Sequence, residues 1–159
     1  MRRSLVLVPT HTPDAYAVFR PRRGAAVAKV SALACVVVFT VVAVAVPGGG
    51  DAGFGMPDRV LTVLFGLLIA AVLWRYAVLR AVPTPSGLRV VNLVRTLELD
   101  WQEIVAVGFS DGAPWVTLEL ADTEEVSVMA IQRADGELAV REAARLSALV
   151  AHHSSGPVP

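Results

Sequence analysis

The chain has 159 residues, of which 55% are hydrophobic and 18% charged, and its mean hydropathy is +0.60. This exceeds the roughly 45–50% apolar content of soluble domains, excludes an intrinsically disordered tail protein, and leaves length for about one small domain beside any membrane part. A single cysteine, Cys35, forms no intramolecular disulfide, and three histidines give little basis for a metal centre, so neither redox chemistry nor a cofactor is indicated. Thirteen arginines against one lysine, with heavy use of Ala, Val and Gly, match the codon usage of a high-GC genome and point to a bacterium.

The formal net charge of zero conceals +6 before Pro83 and −6 from Pro83 onward. Such asymmetry predicts two regions in different surroundings, the first beside anionic lipid headgroups and the second in water. Residues 1–23 read as a basic N-terminal segment carrying Arg2, Arg3, Arg20, Arg22 and Arg23. From Gly24 to Val46 the only charge is Lys29, close enough to the end for its stem to reach the headgroups. At helical rise this run covers about 34 Å, enough for a hydrocarbon core of about 30 Å. After a polar break from Pro47 to Asp58, a second apolar run starts at Val60, stays uncharged to Trp74, and extends to Val82 if Arg75 and Arg80 lie at the interface.

Residues 24–82 are therefore expected to form a two-helix transmembrane hairpin with spans at about 24–46 and 60–82. The first run is longer than the apolar core of a signal peptide, and some two dozen residues precede it. Arginines flank both outer ends, whereas the intervening loop has no basic residue before Arg59, which predicts cytoplasmic termini in a bacterial cell membrane. Trp74 and Tyr76 suit the inner aromatic belt. Ala28 and Ala32, Ser31 and Cys35, and Gly66 and Ala70 have the small-x-x-x-small spacing that lets helices approach, either within the hairpin or as a homo-oligomer. No carboxylate falls mid-span, which argues against a proton-coupled transporter or channel.

A cytoplasmic domain is expected over residues 83–151, after a linker Pro83–Gly87. Leu97, Leu99 and Trp101 alternate with Glu98 and Asp100, the period-two pattern of a half-buried strand. Strand-like runs also occupy Leu88–Val94, Ile104–Phe109, Trp115–Leu120 and Glu125–Ile131, separated by turn residues such as Asp111-Gly112 and Asp122-Thr123. Asp135 then reads as the N-cap of a helix from Gly136 to Ala151 with an apolar stripe of Ala139, Ala143, Leu146 and Val150, and with Glu137 and Arg141 paired on its wet face. Residues 152–159 read as a flexible tail. The fold class expected is a membrane α-helical hairpin plus α+β, with a small antiparallel barrel or curved sheet capped by the C-terminal helix.

Two apolar helices followed by GLRVVNLVRTLELDWQEIVAVGF and GAPWVTLELADTEEVSVMAI resemble the bacterial PH-like domain family named after the mycobacterial low molecular weight protein antigen six, over about residues 60 to 151. The most specific piece is Trp101-x-x-Ile104, with Trp115 opening the next long strand. The resemblance implies a pleckstrin-homology-like (PH-like) barrel with a capping helix, tethered to the cytoplasmic face. Only five strands are legible where a full PH domain has seven, so residues Ser4–Val8 or Tyr16–Phe19 are candidates to complete it.

Each candidate chemistry has a plainer structural reading. Trp101, Ile104 and Trp115 are expected in the core rather than in a binding site. Asp100 and Glu103 read as turn residues, since no nucleophile or histidine has a defined place beside them, and no catalytic residue is assigned. His152 and His153 lack further metal ligands. The glycines of the hairpin loop match neither a phosphate loop nor a dinucleotide fingerprint. Arg75, Arg80, Arg89 and Arg95 are the candidate lipid or partner contacts, but eleven acidic groups in the same domain oppose lipid and nucleic acid alike. The sequence thus points to a non-catalytic, membrane-tethered protein-interaction or scaffolding module. A headgroup-sensing domain and an accessory subunit of a membrane enzyme or transporter are the alternatives.

Overall fold

The computed structural model of the protein describes residues 14–48 and 53–155. In chain order it contains α1 (Arg22–Ala45), α2 (Met56–Ala77), β1 (Arg80–Pro83), β2 (Gly87–Val91), β3 (Thr96–Asp100), a 3-10 turn (Trp101–Glu103), β4 (Ile104–Gly108), β5 (Trp115–Leu120), β6 (Glu125–Gln132), a second 3-10 turn (Arg133–Asp135) and α3 (Glu137–Ser154). The strands form two antiparallel three-stranded sheets, β1-β2-β3 and β4-β5-β6, which do not close into a barrel.

The helices pair through their small residues. Ala28, Ala32 and Ala43 of α1 and Gly66, Ala70 and Ala77 of α2 are buried, so the small-residue spacings serve contact within the hairpin. Gly66 is required there: a Cβ on it would sit 2.5 Å from the Cβ of Phe39. Both helices are long and apolar enough to cross a membrane, yet only 17% and 11% of their apolar windows are buried. Val30, Leu33, Leu61 and Leu68 all face outward, the reverse of a helix in a water-soluble core. At the loop end, Arg59 donates to the carbonyls of Ala43, Val44 and Val46, placing a cation on the C-terminal groups of α1. Asp58 accepts the Gly55 N–H at 2.8 Å and so caps α2.

Below the hairpin, Leu88, Val90 and Leu99 from the first sheet meet Val116, Leu118, Val126, Val128 and Ile131 from the second. Ala139, Leu146, Leu149 and Val150 of α3 cover one side of this core. A break in the β5–β6 register opposite residues 129–131 lets β6 bury Ala130, Ile131 and Gln132 in succession, which strict alternation would forbid.

Several expectations from sequence are corrected. The second helix stops at Ala77, and Arg80–Pro83 is a strand, not the end of a span reaching Val82. Pro83 disfavours helix in the residue before it, and extended backbone gains a full ladder with β2 instead. Pro83 is therefore strand rather than linker, and the strands among the described residues number six, not five. The described part of the basic N-terminal segment, from Asp14 onward, is not separate from the domain. Phe19 is buried at 1% exposure and exchanges backbone hydrogen bonds of 2.9 and 3.1 Å with Ala81, covering the outer edge of β1. Of the two stretches expected to complete the sheet, Tyr16–Phe19 thus contributes one bridge, and Ser4–Val8 lies outside the described residues. The C-terminal helix runs to Ser154, so His152 and His153 belong to it. Asp135 does not cap that helix, because Gly136, at φ 62°, holds the N-cap position. The ion pair on α3 joins Arg145 to Glu142 rather than Glu137 to Arg141.

Candidate functional site

Among the described residues, the side chains of Asp135, Gln132 and Arg75 fasten the domain to the base of the hairpin. The Asp135 carboxylate accepts the backbone N–H groups of Arg22 and Arg23 at 3.3 and 3.1 Å, so an anion from the domain satisfies two orphan donors at the positive end of α1. Gln132, 5% exposed, donates to the Tyr76 hydroxyl at 2.7 Å and to the Met129 carbonyl at 3.0 Å. Gly24 makes room for it, since a Cβ there would lie 2.6 Å from Gln132 Oε1. Arg75, in the last turn of α2, donates to the Asn92 carbonyl. The Asn92 side chain then bridges the two sheets, donating to the Ser127 carbonyl at 2.6 Å and accepting the Met129 N–H at 3.2 Å.

At the far end, Trp101 is buried at 3% exposure and donates its indole N–H to the Thr84 carbonyl at 2.9 Å. The His153 ring stacks on it at 5.0 Å with planes 4° apart and meets the Tyr16 hydroxyl at 2.9 Å. Arg145 lies over the Phe19 ring at 3.8 Å and donates to the carbonyls of Asp14, Ala15 and Ala17. Residues 14–19 thus form a strap that closes α3 against the sheet. Alternation did not reveal the strap, because its partners lie far along the chain, on β1 and, 128 to 137 residues away, on α3; the aromatic residues of Tyr16-Ala-Val-Phe19 were the only signal.

The structure disperses the four arginines. Arg75 is half-buried and committed to Asn92. Arg89 faces outward from β2 opposite Glu98, with which it pairs at 3.5 Å. Arg80 and Arg95 are exposed, at the start of β1 and in the β2–β3 turn. Trp101 and Ile104 lie in the main core, whereas Trp115 is half-buried outside that cluster. Glu103 accepts the Asp100 backbone N–H at 3.0 Å, so these two acidic residues fasten a turn rather than form a carboxylate pair.

A groove of about 380 Å³ runs beside β3. Leu97 and Leu99 form one wall, Leu120, Val126 and Met129 the other, and Arg95, Glu124 and Glu125 stand on its rim. It follows the seam where the two sheets fail to meet.

A hairpin feeding two meandering sheets and a capping helix agrees with the comparison of sequences: residues 79–148 match the model of the bacterial PH domain. The match begins at Leu79, ahead of β1, and ends within α3. The chain belongs to this family, whose members are interaction modules for proteins or lipids and are generally non-catalytic. It is 32% identical over 106 residues to uncharacterised proteins of Mycobacterium bovis and of two strains of Mycobacterium tuberculosis, covering 67% of this chain and 69% of each of theirs. No solved structure matches.

Proposed function

We propose that the protein is a membrane-tethered PH module that binds a protein partner at the cytoplasmic face of a bacterial cell membrane, with α1 and α2 spanning the bilayer and both termini inside. The observation that carries this reading is the outward-facing apolar surface of the hairpin, set directly on an acidic PH domain. Arg20, Arg22, Arg23, Arg75 and Arg80 gather where the helices enter the domain, whereas the far loop has Arg59 alone, already spent on the end of α1. Spanning helices satisfy their own backbone groups in lipid and need only apolar surfaces, which these have. Tethering raises the local concentration of the domain for other membrane proteins.

A protein partner is favoured over a lipid headgroup because the four arginines do not converge: Arg75 and Arg89 are engaged within the chain. The net charge of −6 from Pro83 onward also opposes an anionic surface. Two measurements test this. With Cys35 replaced by serine, an impermeant maleimide added to intact cells should label Gly55→Cys, and should label Ser155→Cys only after permeabilisation; the opposite pattern defeats the topology. In nanodiscs, any gain in thermal stability of the full chain from anionic over neutral lipid should come from Arg20, Arg22 and Arg23 beside the helix end and persist in an Arg80→Glu, Arg95→Glu variant. Stabilisation by anionic lipid that disappears in an Arg80→Glu, Arg95→Glu variant would transfer the function to headgroup sensing.

A further inference from the structure

We infer that the groove beside β3 is a strand-addition site, which takes an extended segment of a partner protein whose apolar residues alternate with basic ones. This rests on the reading of the domain as a protein-interaction module and specifies the partner's chemistry.

Backbone register comes first. The Asn92 N–H donates to the Arg95 carbonyl at 2.9 Å across the β2–β3 turn, and the ladder continues with Val90 opposite Leu97 and Leu88 opposite Leu99. Hydrogen-bonded pairs alternate along an antiparallel ladder, so Leu97 and Leu99 exchange bonds with β2, while the main-chain groups of Thr96, Glu98 and Asp100 point away from it. Glu103 takes the Asp100 N–H. Among the described residues none bonds the outward N–H of Thr96 or Glu98.

The other sheet edges are managed. Phe19 covers β1, Asn92 takes the outer groups of Ser127 and Met129 on β6, and an irregularity at Val105 kinks β4. An uncovered edge is a template for a further strand. Here it borders an apolar groove at the unclosed seam, so an added strand would extend the first sheet and place alternate side chains on Leu97, Leu99, Leu120 and Val126.

Charge selects the rest of the occupant. Its remaining side chains would face the rim and the outer surface, where Glu124 and Glu125 are exposed, Glu98 is exposed and shares its charge with Arg89 at 3.5 Å, and Arg95 is the one cation lining the groove among the described residues. Basic residues at those positions are complementary, and acidic ones are repelled.

The purified full chain in a neutral detergent, titrated against a fluorescent peptide of about six residues alternating valine and arginine, the length of a typical strand, tests the inference by anisotropy. The alternating peptide should bind at least about tenfold more tightly than one of the same composition with valines and arginines in separate blocks, a difference of about 1.4 kcal/mol. Glu98→Pro, which removes the central outward N–H, should abolish binding. Because that change also endangers the strand, the exposed triple variant Glu98→Lys, Glu124→Lys, Glu125→Lys provides an independent arm: its preference should switch to a peptide alternating valine and glutamate. The inference is overturned if the two arrangements bind equally, if neither variant alters binding, or if the peptide binds only once residues 1–13 have been removed, which would give the groove to this chain's own N-terminal segment. None of these outcomes depends on membrane topology, so failure here and failure of the labelling experiment are separable.

Discussion

The hairpin and the domain use the same apolar residues in opposite ways. In the hairpin, alanine and glycine occupy the contact between helices, and valine, leucine and Phe65 face outward. In the domain, Leu88, Val90, Trp101, Leu118 and Leu146 fill the centre, and glutamate, aspartate and arginine face outward. Water makes burial of large apolar groups favourable, at about 25 cal/mol per Å². Apolar surroundings remove that driving force and leave close backbone approach as the means of packing. The contrast supports the proposed reading, in which the hairpin meets lipid and the domain meets water. Hairpin and domain join where Asp135, Gln132 and Arg75 make their contacts.

The difference can be broken most forcefully in the domain. Trp101→Ala removes the indole from beneath His153 together with its bond to Thr84, and should cost about 3–5 kcal/mol, read as a lower midpoint in denaturant unfolding while helical circular dichroism of the hairpin persists. A domain that unfolded at an unchanged midpoint would show that the stack is peripheral. In the hairpin the corresponding change adds volume rather than removing it. Gly66→Leu drives a side chain into Phe39 and should cost about 1–3 kcal/mol, seen in dodecyl sulfate titration of the helices with little change in domain unfolding.

The junction should respond more modestly. Asp135→Ala takes the anionic cap from α1, a loss of about 1 kcal/mol, and hydrogen exchange at Arg22 and Arg23 should quicken about fivefold while the core amides of β5 stay protected. Uniform acceleration throughout the domain would mean that the contact supports the fold rather than the coupling. The smallest effect belongs to the outer face. Arg89→Ala breaks an ion pair whose side chains are 55% and 77% exposed, and should move stability by less than about 0.5 kcal/mol in the same unfolding experiment.

The hairpin was legible because its signal is local: long uninterrupted apolar runs need no distant partner to identify them. Strand β3 was legible for a similar reason, since its period-two pattern marks it within a few residues. Strand β1 was not. Arg80–Pro83 continues an apolar stretch, and only its pairing with β2 on one side and Phe19 on the other makes it extended. Asp135 shows the same limit, because its position ahead of a helical pattern suggests a cap for the helix that follows, whereas its carboxylate meets a helix that begins 113 residues earlier.

The sequence by itself determined the two regions, the charge division between them, the apolar stripe of the closing helix and the family resemblance. These properties are carried by periodicity and composition, which act over one or two helical turns or strand repeats. Tertiary structure alone decided that residues 14–19 strap the domain, that His153 stacks on Trp101, that the four arginines stand apart, and that the edge of β3 is left uncovered. Each of these depends on which distant backbone arrives beside it, and hydrogen bonds and packing across long loops are set by the folded whole rather than by neighbouring residues.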